Sequence, residues 1–400
     1  MRVFVVEPDG AGGMVHYAYQ LCTALAGQGA DVTLVTGRHY ELASLPHNFA
    51  VDPRMRLWPA VGEQLPPSRL GALVAGLYHK ARRTARGLRY AAEWYRLTRH
   101  LLTERPDVVQ FAIIRFPFQG IFLRHLRRSG ITLTQICHEF EPRERGVLVR
   151  SINRWQSHAL YRSFDRIYLH GEESRRSFLR TFDINPALTT AIRHGNEAMF
   201  LDLMAADGDR RKRYGLPPAV RVCLFFGGLR PSKGIEDLIN AWRLVVDETD
   251  AHLIVCGQPA GIEPASLEEQ VGRLGLSASV TIDAGYLPLD EVSGLFDIAD
   301  AVVLPYRSAT ASGVLQLAYA FGKPVVATSR GTFTEDVDDG RTGFLVEPGD
   351  VAGLGRALVK VLDNPAEASR MGRAARNESE QFAWEPIAAS IMADYRKMST

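Results

Sequence analysis

The sequence predicts an α/β protein of two doubly wound domains, each a parallel sheet covered by helices. Three observations carry this. Short apolar strands alternate with helical stretches along nearly all of the 400 residues, the pattern of parallel sheets with helices on both faces. The length suits two cores better than one. The alternation breaks once, near 183–215, where RHGNEAMF reads as loop and DGDRRKRYGLPPAV as a charged, proline-bearing bridge. A domain boundary is therefore expected near 195–215. That gives a first domain over 1–200, a second over 215–380, and a final helical stretch over about 381–400.

The elements follow in order. RVFVVEP (2–8) is a strand, Met14 to Ala26 a helix closed by Gly27 and Gly29, and DVTLVTG (31–37) a strand. Residues 38–70 are irregular and proline-rich. A long helical pattern covers about 69–103, DVVQFA (107–112) is a strand, and a helix runs to Arg128. TLTQICHEF (132–140) is a strand ending in polar residues, a helix covers about 147–163, and RIYLHGEES (166–174) follows. In the second half, strands lie at 221–226, 251–257, 280–285, 300–306 and 323–328. Helices lie near 235–247, 265–274, 289–298, 313–321 and 351–362. In such sheets ligands bind beyond the carboxyl ends of the strands. Two facing domains would place an active site in the cleft between them.

Composition excludes several classes. The 46 % hydrophobic and 23 % charged shares are those of a soluble globular chain. No apolar run approaches the roughly 20 residues of a membrane span. The opening MRVFVVEPDG is too short and too soon acidic for a signal peptide, so the protein is expected in the cytoplasm. Cys22, Cys137, Cys223 and Cys256 lie far apart in apolar runs and read as buried small hydrophobes. The net charge of +2 hides an asymmetry: residues 1–200 hold 27 Lys and Arg against 17 Asp and Glu, and residues 201–400 hold 20 against 28. The densest basic stretch runs from Lys80 to Arg105, with Tyr90, Trp94, Tyr95 and Leu97 interleaved. It fits an anionic membrane surface, or a plainly solvated helix face. Arg124, Arg127 and Arg128 after FPFQGIFL add to the membrane reading. No nucleic-acid motif is present, and no nucleic-acid partner is expected.

The richest stretch is FGGLRPSKGIEDLIN, 226–240. An apolar run ends in Gly227 and Gly228, Arg230 and Lys233 follow, and Ile235, Leu238, Ile239 and Trp242 then recur at helical spacing. Strand, glycine turn, two cations and helix start together make a site for a phosphate or diphosphate. The alternative is a surface turn with two solvated cations. In the first turn, EPDGAGGMVHY, Gly10, Gly12 and Gly13 let the backbone approach a ligand, with His16 one turn into the helix. The spacing is not G-x-G-x-x-G and no acid ends the second strand, so a dinucleotide is disfavoured. A single sugar or phosphate beside Gly12 and Gly13 fits better. ICHEFEPRE sets His138 and Glu139 at a strand end, where His can donate to a sugar hydroxyl and Glu accept from one. No metal-ligand spacing joins His138, so no metal is expected. In LPYRSATASGVLQLAYAFGKPVVAT a strand ends at Tyr306, a small-residue loop holds Thr310, and a helix starts at Gly313. Its first N–H groups, on Ser312, Gly313 and Val314, can receive a diphosphate.

These blocks, in this order along nearly the whole chain, resemble a retaining glycosyltransferase of the GT-B fold, in glycosyltransferase family 4 (group 1). The resemblance rests on GAGGMVHY, HE after a central strand, GGLRPSKGIEDLINAW, ADAVVLPYRSATASGV, AFGKPVVAT and GRTGFLVEPGD. The last segment, FAWEPIAASIMADYRKM, resembles the family's C-terminal helices, which cross back to the first domain. The resemblance implies a hexosyltransferase with two Rossmann-like domains and a nucleotide-sugar donor as substrate. It implies no cofactor, and a glycan or lipid-linked acceptor in polysaccharide or glycoconjugate biosynthesis. Arg230 and Lys233 would neutralise the leaving diphosphate with the Ser312–Val314 helix start, His138 would contact the transferred sugar, and Gly12 and Gly13 would approach donor phosphate and acceptor. Gly228 stands where the family usually has an arginine, which Arg230 replaces in this reading. Ala309 and Leu317 stand where the family has two glutamates, with Thr310, Ser312 and backbone groups as substitutes. An epimerase or hydrolase acting on nucleotide sugars, and a non-catalytic sugar-nucleotide binder, remain the alternatives. The basic stretch 80–105 would hold the enzyme peripherally on the inner face of a membrane.

Overall fold

The computed structural model describes residues 1–56, 72–114, 116–140, 158–203 and 210–398, and within 72–86 the backbone alone. The chain divides into two compact units, Met1–Leu169 with Arg175–Ile192 and Trp384–Thr400, and His170–Ser174 with Arg193–Ala383. Its strands are β1 (Arg2–Glu7), β2 (Asp31–Gly37), β3 (Ala50–Met55), β4 (Val108–Phe111), β5 (Thr132–Cys137), β6 (Arg166–His170) and β7 (Thr189–Ile192), then β8 (Arg221–Phe226), β9 (Ala251–Gly257), β10 (Val280–Ala284), β11 (Ala301–Leu304), β12 (Val325–Thr328) and β13 (Gly343–Val346). The longer helices are α1 (Gly13–Gly27), α2 (Ala72–Glu104), α3 (Gln119–Arg128), α4 (Glu172–Thr181), α5 (Ile235–Glu248), α6 (Pro264–Arg273), α7 (Leu289–Ile298), α8 (Gly313–Ala320), α9 (Val351–Leu362), α10 (Pro365–Ser379) and α11 (Trp384–Met398).

Both sheets are doubly wound, as the alternation predicts. The first runs β3-β2-β1-β4-β5-β6-β7 and the second β10-β9-β8-β11-β12-β13. Neighbouring pairs such as β1 with β2 and β4, and β8 with β9 and β11, are parallel. The strand order reverses between β1 and β4 and again between β8 and β11, and the crevice beyond such a reversal is where these sheets bind ligands. Central strands are buried along their length, β4 and β11 at every residue, because helices cover both faces. α5 presents Ile235, Leu238, Ile239, Trp242 and Val245 to the second core, and all are fully buried. α11 returns to the first unit and packs on α1, where Trp384 meets Tyr17 edge-on at 4.8 Å between ring centroids.

Five elements escape the sequence pattern. β3, β7 and β13 are short edge strands. An edge strand buries little, so it shows no clean period. β3 even carries Pro53, which only an edge tolerates. α4 is mostly polar, and its first residues fall within RIYLHGEES (166–174), a segment that announces no helix. α10 has an ordinary start signal, the Asn364 side chain accepting from Glu367 N at 3.1 Å with Pro365 next. Several strands are shorter than expected. β11 ends at Leu304 and β12 begins at Val325, because Pro305 and Pro324 have no N–H for the ladder. Tyr306 therefore stands in the loop beyond β11. β5 likewise ends at Cys137, which leaves His138 and Glu139 just beyond it. The proline-rich residues 57–71 and most of the helix expected over 147–163 lie outside the described residues.

The basic stretch of α2 is less apolar on its outside than its composition suggests. Tyr90, Trp94 and Leu97 are buried in the first core, with Trp94 stacked on Phe111 at 5.5 Å. Leu88 and Tyr95 remain exposed, as do Phe116 before α3 and Ile121 within it. Arg89, Arg96, Arg99, Arg124, Arg127 and Arg128 are also exposed. The side chains from Lys80 to Arg86 lie outside the described residues. Among the described residues no helix is long and apolar enough to cross a membrane. All four cysteines are buried and free, as expected.

Candidate active site

The second unit brings the loops after β8 and β11 together at its strand reversal. β8 runs out into Gly227, whose φ of 133° is open to glycine. Gly228 lies against Arg230: a Cβ there would sit 3.4 Å from the arginine Nε. Burial pulls the Arg230 guanidinium below its usual value, yet an arginine stays charged at any working pH. The chain then makes one turn, Pro231–Lys233, and enters α5 through Gly234 at φ 66°. A side chain at Gly234 would collide with the Pro305 carbonyl, 2.0 Å from the Cβ position. Glycine thus lets the β8 loop lie directly on the β11 loop.

The two loops are further tied by Arg307 N, which donates to the Ser232 carbonyl at 2.9 Å. The Arg307 guanidinium grips the Asp237 carboxylate with two bonds of 2.8 Å. As a result Lys233 Nζ stands 3.4 Å from the ring centroid of Tyr306, close enough for a cation–π contact. Tyr306 is fully buried, and its hydroxyl is 3.4 Å from Ser312 Oγ. Ser312 is the N-cap of α8, with no side-chain cap bond. Gly313 and Val314 open that helix. The Thr310 carbonyl accepts from Ser174 Oγ and Thr332 N, both at 3.1 Å, which fixes the loop before the helix. Lys233, Tyr306 and Ser312 thus come together where the loops after β8 and β11 meet; Gly228 and Arg230 stand on the first of these loops, and Thr310, Gly313 and Val314 on the second and the start of α8.

Two residues that the motif reading did not single out stand at the same helix start. A Cβ at Gly313 would lie 3.4 Å from Glu197 Oε1 and 3.4 Å from His194 Cε1. Glu197 is buried, and burial pulls the His194 imidazole down to about 4. One turn further on, Gln316 is buried, and neither amide atom has a partner among the described residues. Ala309 and Leu317 pack with the core, so no carboxylate comes from those positions. RHGNEAMF carries the signal for His194 and Glu197, but as a linker it offers no period.

In the first unit the β1–α1 turn brings together Gly12, Gly13 and His16. Gly12 has φ 84°, and a Cβ at Gly12 or Gly13 would meet no atom within 4 Å. Glu41, from the loop after β2, accepts from Gly12 N at 2.8 Å, and its same oxygen accepts from the His16 ring. Glu7, fully buried at the end of β1, accepts from Asp9 N at 3.1 Å and Gly10 N at 3.0 Å. Neither carboxylate is apparent from the glycine pattern alone. His138 stands edge-on to Tyr17 of α1 at 4.6 Å, near that turn. Glu139 is exposed, and its carbonyl receives the Cys137 thiol at 3.7 Å.

Comparison with known proteins bears on this geometry. Residues 11–197 match the family described as Glycosyltransferase Family 4, and residues 220–364 match Glycosyl transferases group 1. The chain is 33 % identical over 241 residues to a D-inositol 3-phosphate glycosyltransferase of Streptomyces avermitilis, a match covering 58 % of this chain and about half, 51 %, of that protein. It is 29 % identical over 429 residues to a glycogen synthase of Mycobacterium tuberculosis, covering 99 % and 94 %. The structure of HepE from Anabaena, solved with UDP and glucose, superposes with a TM-score of 0.72 at 18 % identity, covering 99 % of this chain and all of that one. At that identity the likeness speaks for the fold.

Proposed function

The chain belongs to family 4, group 1, of the glycosyltransferases, and from that premise we propose that it moves a hexose from a nucleotide sugar to a glycan or lipid-linked acceptor with retention of configuration. The observation that carries the reading is Lys233 over the Tyr306 ring, beside Arg230 and the start of α8. Charge develops on the diphosphate as the sugar leaves. Donors already aimed at that charge lower the barrier without reorganising. Holding donor and acceptor in one geometry supplies much of the rest. In this reading no protein nucleophile is used: the acceptor attacks on the donor's own face and its proton leaves with the diphosphate. His138 touches the transferred sugar, and the backbone at Ser312–Val314 holds phosphate oxygens. The solved relative's UDP and glucose support a donor of this kind. No metal is required, because two cations and a helix start carry the neutralisation.

The setting proposed is polysaccharide or glycoconjugate assembly on the cytoplasmic face of a membrane. Exposed arginines of α2 and α3, with Leu88, Tyr95, Phe116 and Ile121, support a peripheral contact with anionic lipid.

The test is a screen of UDP-, GDP-, dTDP- and ADP-sugars by thermal shift and by release of nucleoside diphosphate, with and without glycan acceptors and with a chelator added. A ligand that binds only the folded state raises its melting temperature. Acceptor-dependent release, unchanged by the chelator, is expected for one nucleotide series. Release without any acceptor would replace transfer by hydrolysis or epimerisation. Stabilisation without release would leave a binding protein.

A further inference from the structure

We infer that the second unit binds a small phosphate ester at the end of its sheet remote from the candidate donor loops, in a cavity of about 380 Å³ walled by Arg221, Asp300, Lys323, Ser369, Arg373 and Arg376. This site is separate from the one read as the donor site, and its occupancy does not require transfer.

The cavity lies where the strands begin. Arg221 is the first residue of β8, Asp300 stands just before β11, and Lys323 stands two residues before β12. The candidate donor loops leave the opposite ends of β8 and β11. α8 separates the two places: it starts at Gly313 and ends just before Phe321, Gly322 and Lys323, which line the cavity. Its 8 residues make a rod of about 12 Å. The other wall is α10, where Ser369, Arg373 and Arg376 are spaced four and three residues apart and so share one face. Gly372 sets that helix against the turn after α8, since a Cβ there would lie 2.1 Å from the Gly322 carbonyl oxygen. Gly322 itself has φ 61°, and its N–H closes α8 on the Tyr319 carbonyl at 2.9 Å. Backbone contact thus sets the two walls.

Four cations line this cavity with one carboxylate, and that carboxylate is engaged. Asp300 Oδ1 accepts from Arg221 at 3.1 Å, and its Oδ2 accepts from Val222 N at 2.8 Å. The other three cations bond to neutral acceptors or to none. Lys323 Nζ donates to the Asp297 carbonyl at 2.9 Å, and Arg373 donates to Ser369 Oγ at 2.7 Å. Arg376 has no hydrogen-bond or ion-pair partner among the described residues. Burial pulls the Lys323 ammonium below its usual value, and the Asp297 and Asp300 charges offset part of that. Like charges around a concavity focus a field that draws in an anion. Arginine forks match phosphate oxygens in pairs, and a serine hydroxyl can add a donor. Buried Phe321 and Leu362 give the cavity an apolar side for a carbon skeleton. Its size falls within the roughly 300–1,000 Å³ of small-molecule pockets, which suits a phosphate on a short or single-ring body and cannot enclose a polymer.

The experiment is calorimetric titration of the full-length protein with glucose 6-phosphate and glycerol 3-phosphate, each beside its unphosphorylated partner. An ester should bind where its neutral partner does not, and inorganic phosphate should compete with it. Replacing Arg373 and Arg376 together by glutamine should weaken binding by about tenfold or more. Ser369→Glu, which puts a negative charge on the same helix face, should do so independently. All three residues are exposed, so both variants should melt near the wild-type temperature. Lys233→Ala, at the candidate donor loops, should bind the ester as wild type does. Absence of binding by either ester at millimolar concentration overturns the proposal. So does binding that survives both cavity variants, and so does binding lost in Lys233→Ala alone, which would put the phosphate on the donor loops. Retention on phosphatidic acid vesicles with no binding of either soluble ester overturns it in favour of a lipid surface.

Discussion

Lys233 differs from a surface lysine in where its ammonium rests. The charge sits 3.4 Å from the centroid of a fully buried tyrosine ring, held there by loops locked through Gly234 and Ser232. Removing it takes away a charge and no volume from a core. Lys233→Ala should therefore lower transfer by about a hundredfold or more while the melting temperature stays near that of wild type. Near-normal turnover would remove Lys233 from the mechanism. His194 makes a second prediction, about pH. Burial lowers its folded value to about 4 from 6.5, so the unfolded chain binds more protons between those limits. Its contribution is full above pH 6.5 and is lost as pH falls through about 4. Asp336 acts in the opposite sense, since burial raises its carboxyl to about 6 from 3.8, and its contribution is lost as pH rises through that value. Comparing urea midpoints of wild type and His194→Asn across this range isolates the histidine. The variant's profile should be flatter on the acid side, and parallel profiles would contradict the assignment.

At the level of elements, the two candidate phosphate loops were legible and their coupling was not. The glycine pair, the cations and the 3.6-residue pattern of α5 stand next to one another in the chain, so local chemistry finds them. Gly234 looks in sequence like a plain helix cap. In the fold its missing side chain is what lets the β8 loop touch Pro305, some 70 residues away. Gly234→Ala should destabilise the protein by about 2–4 kcal/mol, from positive φ and a backbone clash together. A midpoint of denaturation within error of wild type would refute that. The edge strands β3, β7 and β13 were missed for the converse reason. They pack on one neighbour only, so their sequences are free of the pattern that buried strands must carry.

Across the whole molecule, charge is divided between the halves, the first basic and the second acidic. Once Tyr90, Trp94 and Leu97 are counted as core, what α2 offers outside is mostly arginine. Its contact with a membrane would then be mainly electrostatic. Replacing Arg89, Arg96 and Arg99 by glutamine should weaken sedimentation with anionic vesicles, and raised salt should weaken wild-type binding likewise. Vesicle binding that ignores both changes would leave these residues as solvated surface.

By itself the sequence determined the two doubly wound units, the central strands, the helix that returns to the first unit, and the candidate donor loops. Each of these is written in local periods or in glycine and cation spacings, because burial on two faces and anion recognition constrain neighbouring residues. Only the tertiary structure placed Glu41 on the first turn, and His194 and Glu197 beside Gly313. Those side chains arrive from loops with no period of their own, and which backbone groups they meet is decided by how the strands order themselves in the sheet.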